Sequence, residues 1–199
     1  MWKSRTVKKA SHSWMGSRML SDFGRRHFLV GAGLTLLIRK PAFAADQSVR
    51  ALAFDNIHTG EKLELDYWRD GAYVPNALSA VNHILRDFRT GDVHPIAPQL
   101  LDLLSGLRAA LETRVPLSVI SGYRSAATNA MLRGEREHSG VAAKSLHMQG
   151  MAIDIRITGR SLTSTRSAAQ AMRLGGVGFY PVSDFVHVDV GRVRTWSGV

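Results

Sequence analysis

The sequence predicts an α+β fold, a small antiparallel sheet flanked by helices in a single domain. Three observations lead there. Residues 75–89 and 97–111 repeat apolar side chains at helical spacing, and several stretches between 49 and 190 alternate or run apolar over strand lengths. The two kinds of segment are mixed without a regular strand–helix–strand rhythm, which argues against a doubly wound parallel sheet.

Length and charge set the frame. A chain of 199 residues with 45% apolar content holds one core of ordinary size. Its formal charge of +10 is unevenly spread: residues 1–44 hold nine of the 26 basic residues and one of the 16 acidic ones, leaving 17 against 15 in the rest. The basicity belongs to the leader, so no nucleic-acid partner is expected.

Residues 1–44 read as an export signal. A basic stretch precedes the apolar run 28–38 (FLVGAGLTLLI), and Pro41-Ala42-Phe43-Ala44 supplies small residues at a cleavage site after Ala44. Arg25-Arg26 followed by His27-Phe28-Leu29 resembles a twin-arginine signal, with Gly24 and Val30 departing from that pattern. The apolar run is about half the roughly 20 residues a membrane-spanning helix needs, so no lasting membrane anchor is expected. The chain has no Cys, which excludes disulfides and a lipidated cysteine. Residues 45–199 are expected to work as a monomer in the periplasm, stabilised by packing and, where present, a metal.

The elements follow in order. Residues 49–68 alternate on either side of His58-Thr59-Gly60-Glu61, a β-hairpin pattern. In 75–89, Pro opens a helix that aligns Leu78, Val81, Ile84, Leu85 and Phe88, and in 97–111 a second helix aligns Leu100, Leu103, Leu104, Leu107 and Leu111. Residues 116–120 (PLSVI) read as a buried strand running into Ser121-Gly122-Tyr123-Arg124-Ser125, a turn of the kind that presents functional side chains. A short helix is expected over 128–133, then a polar loop over 134–144 containing His138. Residues 151–157 read as a strand, 161–174 as a capped helix, and 177–190 as two short strands.

Chemistry concentrates in SLHMQGMAIDIRI (145–157) and DFVHVDV (184–190). His147 precedes Gly150, and Asp154 sits on the polar face of the strand that follows. On the second strand His187 and Asp189 share a face, while Val186, Val188 and Val190 take the other. His147, Asp154 and His187 form a two-nitrogen, one-oxygen set suited to tetrahedral zinc with its fourth position open. The plainer alternatives are a structural histidine and an ion pair of Asp154 with Arg156.

These residues carry a resemblance. Ser145-x-His147-x-x-Gly150-x-Ala152-x-Asp154, preceded by Ser121-Gly122-Tyr123-Arg124-Ser125 and followed by Phe185-Val186-His187-Val188-Asp189, resembles the M15 group of zinc peptidases, in particular its exported, murein endopeptidase K-like branch. The likeness runs from HTGEKL through FRTGDVHPI to GRVRTW.

The resemblance implies that His147, Asp154 and His187 bind Zn²⁺, placing the zinc site on the sheet. It implies further that Arg124 contacts substrate and the developing oxyanion, and that Ser145 supports the ligands. The slot three residues before the last ligand, a Glu in that group, holds Asp184 here. Asp184 and Asp189 are therefore rival candidates for the general base, with Asp189 alternatively orienting the imidazole. Tyr123, Tyr180 and Trp196 are candidate groove residues.

The implied activity is zinc-dependent hydrolysis of peptide cross-links in peptidoglycan, including direct links between diaminopimelate residues. A carboxypeptidase trimming stem peptides and a zinc-containing cell-wall binding module without hydrolysis are the alternatives.

Overall fold

At the first turn of the fold, the Asn56 amide donates to the Glu61 carbonyl at 2.9 Å, and the Asn56 side-chain oxygen accepts from the amides of His58 and Thr59 at 3.0 and 3.3 Å. This side-chain-stabilised turn joins β1 (Val49–Asn56) to β2 (Lys62–Arg69), the expected hairpin. A computed structural model describes residues 48–134 and 142–198, which lie within one compact unit, Phe43–Val199. The expected export signal, and His138 in the polar loop, lie outside the described residues.

The order continues with β3 (Ala72–Tyr73), α1 (Pro75–Ile84), α2 (Pro98–Ala110), β4 (Leu117–Ser121) and α3 (Ala126–Gly134). After a short 3-10 turn (Leu146–Gln149) come β5 (Ala152–Ile157), α4 (Leu162–Met172), β6 (Gly176–Tyr180), β7 (Phe185–Asp189) and β8 (Arg194–Ser197). Helix α1 stops five residues short of the expected 89. Asn56 Nδ2 donates to the Ile84 carbonyl at 2.9 Å, and the segment beyond folds around Asp87, whose carboxylate accepts from the amides of Arg89 and Ser125 at 2.9 Å each. A buried polar residue thus ends a helix whose apolar spacing would have continued.

The fold is α+β as expected, but the sheet is neither small nor wholly antiparallel. Eight strands lie in the order β3-β2-β1-β4-β5-β7-β6-β8. β1 runs parallel to β4, with α1 and α2 in the connection, and β6 runs parallel to β8. Strand patterns report which side chains share a face; which strands become neighbours depends on contacts across the whole chain.

Alternation divides the central strands between two tasks. Ile153, Ile155 and Ile157 of β5, with Val186 and Val188 of β7, join one apolar cluster with Leu52, Phe54, Leu117 and Val119. The same cluster takes Val81 and Ile84 from α1, Leu100, Leu101, Leu104 and Leu107 from α2, and Ala169 from α4. The opposite face of β5 and β7 carries Asp154, Arg156, His187 and Asp189. Among the described residues no helix is long and apolar enough to cross a membrane.

Candidate functional site

The polar face is organised in rows across the strands. Ser121 of β4 lies opposite Asp154, Asp154 opposite His187, His187 opposite Gly178, and Gly178 opposite Trp196 of β8. One residue pair toward the other end, Ala152 lies opposite Asp189 and Gly176 opposite Arg194. His147 enters from the 3-10 turn, where Ser145 Oγ accepts from the His147 amide at 3.4 Å.

Three donor atoms meet at one buried point. His147 Nε2 lies 3.1 Å from His187 Nδ1 and 3.2 Å from Asp154 Oδ1, and His187 Nδ1 lies 2.9 Å from Asp154 Oδ1. All three residues are buried, and their geometry could hold a metal ion.

Their hydrogen-bond partners decide which nitrogens carry protons. His147 Nδ1 stands 2.7 Å from the Gly122 carbonyl, which can only accept, so the proton sits on Nδ1 and the Nε2 lone pair faces inward. His187 Nε2 donates to Asp189 Oδ2 at 3.0 Å, which turns its Nδ1 lone pair to the same point. Two imidazole lone pairs and a carboxylate oxygen converge with edges close to the roughly 3.3 Å expected between ligands on a tetrahedral zinc. Three converging acceptors repel one another unless a cation lies between them.

The electrostatics agree. Burial works against the Asp154 carboxylate, yet its surroundings, with the fixed charge of Arg124 bonded to it, hold it ionised well below the usual carboxylate range. Burial lowers the His147 pKa, keeping the ring neutral. Burial also opposes charge on His187, but the flanking carboxylates Asp154 and Asp189 prevail and raise its pKa. A positive charge between those carboxylates, whether proton or metal ion, is favoured.

Arg124 bonds Asp154 Oδ2 through Nη2 and donates from Nε to Ser121 Oγ at 2.8 Å. Asp154 thus takes its arginine from the turn after β4, whereas Arg156, the expected alternative partner, pairs instead with Asp184. Tyr123 stacks on His94 with ring centroids 4.6 Å apart. Tyr180 accepts from Trp196 Nε1 at 2.8 Å, and the Trp196 ring lies 5.1 Å from that of His187.

The two rival carboxylates are placed very differently. Asp189 is fully buried and accepts from His187, from Arg194 Nη1 and Nη2 at 3.1 and 2.7 Å, and from the amides of Gly176 and Gly191 at 2.9 and 2.8 Å. Burial opposes its charge, but these donors hold it far below the usual carboxylate range. Asp184 is exposed in the β6–β7 turn with φ 56°, bonded to Arg156 Nη1 at 2.5 Å.

Sequence reasoning missed Arg194 and the role of two glycines. Arg194 and Trp196 stand on β8 yet reach Asp189 and His187 on β7 by passing over β6, where those rows hold Gly176 and Gly178. A Cβ at Gly178 would come within 2.6 Å of the Trp196 ring, and one at Gly176 would collide with Arg194 and Asp189. A Gly-x-Gly inside a strand pattern was the available signal that another group passes close to the backbone.

Asp87 was also missed. Its carboxylate binds the Ser125 amide beside Arg124, and donors from Thr128, Ser125 and Arg89 outweigh burial to bring its pKa down to about 2. A carboxyl depressed on folding stabilises above its unfolded pKa of about 3.9 and loses that contribution as pH falls through the folded value. The stability advantage over Asp87→Asn is therefore expected to amount to about 2 kcal/mol near neutrality. Urea unfolding should show that gap closing between about pH 4 and pH 2; a pH-independent gap would refute it.

The family described as Peptidase_M15_2, peptidoglycan L,D-endopeptidase MepK, matches residues 44–196. The peptidoglycan L,D-endopeptidase MepK of Escherichia coli strain K12 is 42% identical over 180 residues, covering 88% of this chain and 98% of that protein. The Shigella flexneri protein of the same name matches over the same extent. A probable peptidoglycan L,D-endopeptidase MepK of Haemophilus influenzae is 43% identical over 159 residues, 79% of this chain and 84% of the relative.

Proposed function

The chain belongs to the M15_2 peptidase family, and from that premise we propose that it is an exported peptidoglycan endopeptidase, hydrolysing an amide bond in peptide cross-links with zinc held by His147, Asp154 and His187. The observation that carries the reading is the convergence of three lone pairs, 2.9 to 3.2 Å apart, at one buried point. All three come from one chain, so a monomer suffices. Relatives named for peptidoglycan cleavage and the leader pattern of residues 1–44 support a periplasmic location reached by the twin-arginine route.

When bound, zinc supplies a Lewis acid for the scissile carbonyl and brings the pKa of the attacking water to about 7. The chain's own groups prepare for this. The Gly122 carbonyl and Asp189 keep the imidazole protons on the outer nitrogens, so that both inner lone pairs stay available. Arg124, pinned between Ser121 and Asp154, holds a positive charge beside the point where a tetrahedral intermediate becomes negative. Ser145 caps the turn that aims His147, and Tyr123, the neighbour of Arg124 in the chain, stacks on His94. Asp189, committed to four donor groups, orients His187 rather than accepting a proton from water.

The test is metal analysis of the purified protein together with digestion of isolated peptidoglycan. Stoichiometric zinc, loss of cross-linked dimers and a matching rise in monomers are expected. Loss of a single terminal residue from monomers would instead identify a carboxypeptidase, and zinc with no released product would identify a binding module.

A further inference from the structure

Arg156 and Asp184 form a charged pair on the metal-binding face that the hydrolytic machinery does not use. β5 is otherwise buried at five of its six positions, yet Arg156 extends outward, its side chain 40% exposed and that of Asp184 58% exposed. The other two arginine–carboxylate pairs on this face are built differently, because Asp154 and Asp189 are both buried. An exposed pair adds at most about 1 kcal/mol to stability, a weak reason to keep an arginine on a central strand. A guanidinium with five N–H groups, of which Nη1 meets Asp184, retains donors suited to a second carboxylate.

The surroundings narrow the ligand. Arg156 follows Asp154 by two residues on the same face, a spacing of about 6.7 Å. Phe185, on the face of His187 and next to Asp184 in the chain, is half-buried and stacks on Tyr180 at 4.5 Å. One row out from Asp154 and His187, continuing the β5–β7 register, the face therefore presents the apolar ring of Phe185 beside the cation of Arg156, with the Asp184 anion paired to that cation.

We propose that Phe185, Arg156 and Asp184 form a subsite for the side chain of the residue that contributes the scissile carbonyl, a diamino-dicarboxylic acid whose far centre carries a free ammonium and a free carboxylate. The inference rests on the endopeptidase reading. In diaminopimelate five carbon–carbon bonds separate the acylating carbonyl from that far centre, roughly 6 Å when extended, which matches the step from Asp154 to Arg156. The three methylenes lie over Phe185, the carboxylate meets Arg156 and the ammonium meets Asp184. Asp184 thereby determines specificity and is not the base.

The test uses purified peptidoglycan dimers of two tripeptide stems joined directly through diaminopimelate. Three forms are compared: far centre free, far carboxylate amidated, and far amine acetylated. Arg156→Gln is expected to raise KM about tenfold on the free dimer, leave KM on the amidated dimer unchanged, and leave kcat and Tm nearly unchanged. Asp184→Asn should behave likewise, with the acetylated dimer as its insensitive partner.

Equal wild-type KM on all three dimers would overturn the subsite while leaving the endopeptidase reading standing. A fall in kcat at constant KM for Asp184→Asn would overturn it in favour of a proton-transfer role. Failure of the wild type to cut any dimer would overturn the endopeptidase reading and the subsite with it.

Discussion

His147→Ala is expected to reduce peptidoglycan hydrolysis by at least about a thousandfold, equivalent to some 4 kcal/mol of lost transition-state stabilisation. The variant removes the Nε2 lone pair that faces His187 and Asp154, so two donors would have to hold the ion where three converge now. Metal content of the purified variant should fall in parallel, which separates loss of the site from loss of a catalytic group that leaves zinc in place. The far-ultraviolet circular dichroism should stay near that of the wild type, because His147 lies in a four-residue turn outside the sheet. Retention of both metal and activity would show that the three-residue set is not the metal centre.

The second large effect is expected at Gly150. This residue caps the turn that carries His147, with φ 65° in the left-handed region, and its carbonyl accepts from the Ala97 amide at 2.9 Å. A Cβ there would lie far inside van der Waals contact of the Pro95 carbonyl oxygen. Gly150→Ala therefore combines an unfavourable backbone conformation with a collision against backbone, and about 3 kcal/mol or more of destabilisation is expected. For a domain of this size that corresponds to a fall in Tm of about 10 °C, measurable by calorimetry on the metal-free protein. A shift under about 2 °C would mean that the 94–97 segment does not press on the turn.

The spacing His147–Gly150–Asp154 thus has a physical meaning that sequence could only suggest. Gly150 reverses the chain under the 94–97 segment, so that a histidine before the turn and an aspartate within the strand after it face the same point. The second strand was equally legible. Alternation in Phe185–Asp189 assigns His187 and Asp189 to one face and the valines to the other, and the structure places Val186 and Val188 in the core. The parallel pairing of β1 with β4, and of β6 with β8, was not legible, nor was the early end of α1 at Ile84.

The kinds of elements, the face each strand side chain occupies, and the chemical types able to hold a metal are local properties of the chain. These follow from periodicities of 2 and 3.6 residues and from local turn chemistry, which need no knowledge of distant parts of the chain. The partners are not local: Arg124 for Asp154, Arg156 for Asp184, and Arg194 reaching over Gly176 to Asp189. An ion pair forms between groups that folding brings together, and here the pairs are set by which strands lie side by side and in what register. That register comes from burying the opposite, apolar face against helices that contribute nothing to the chemistry.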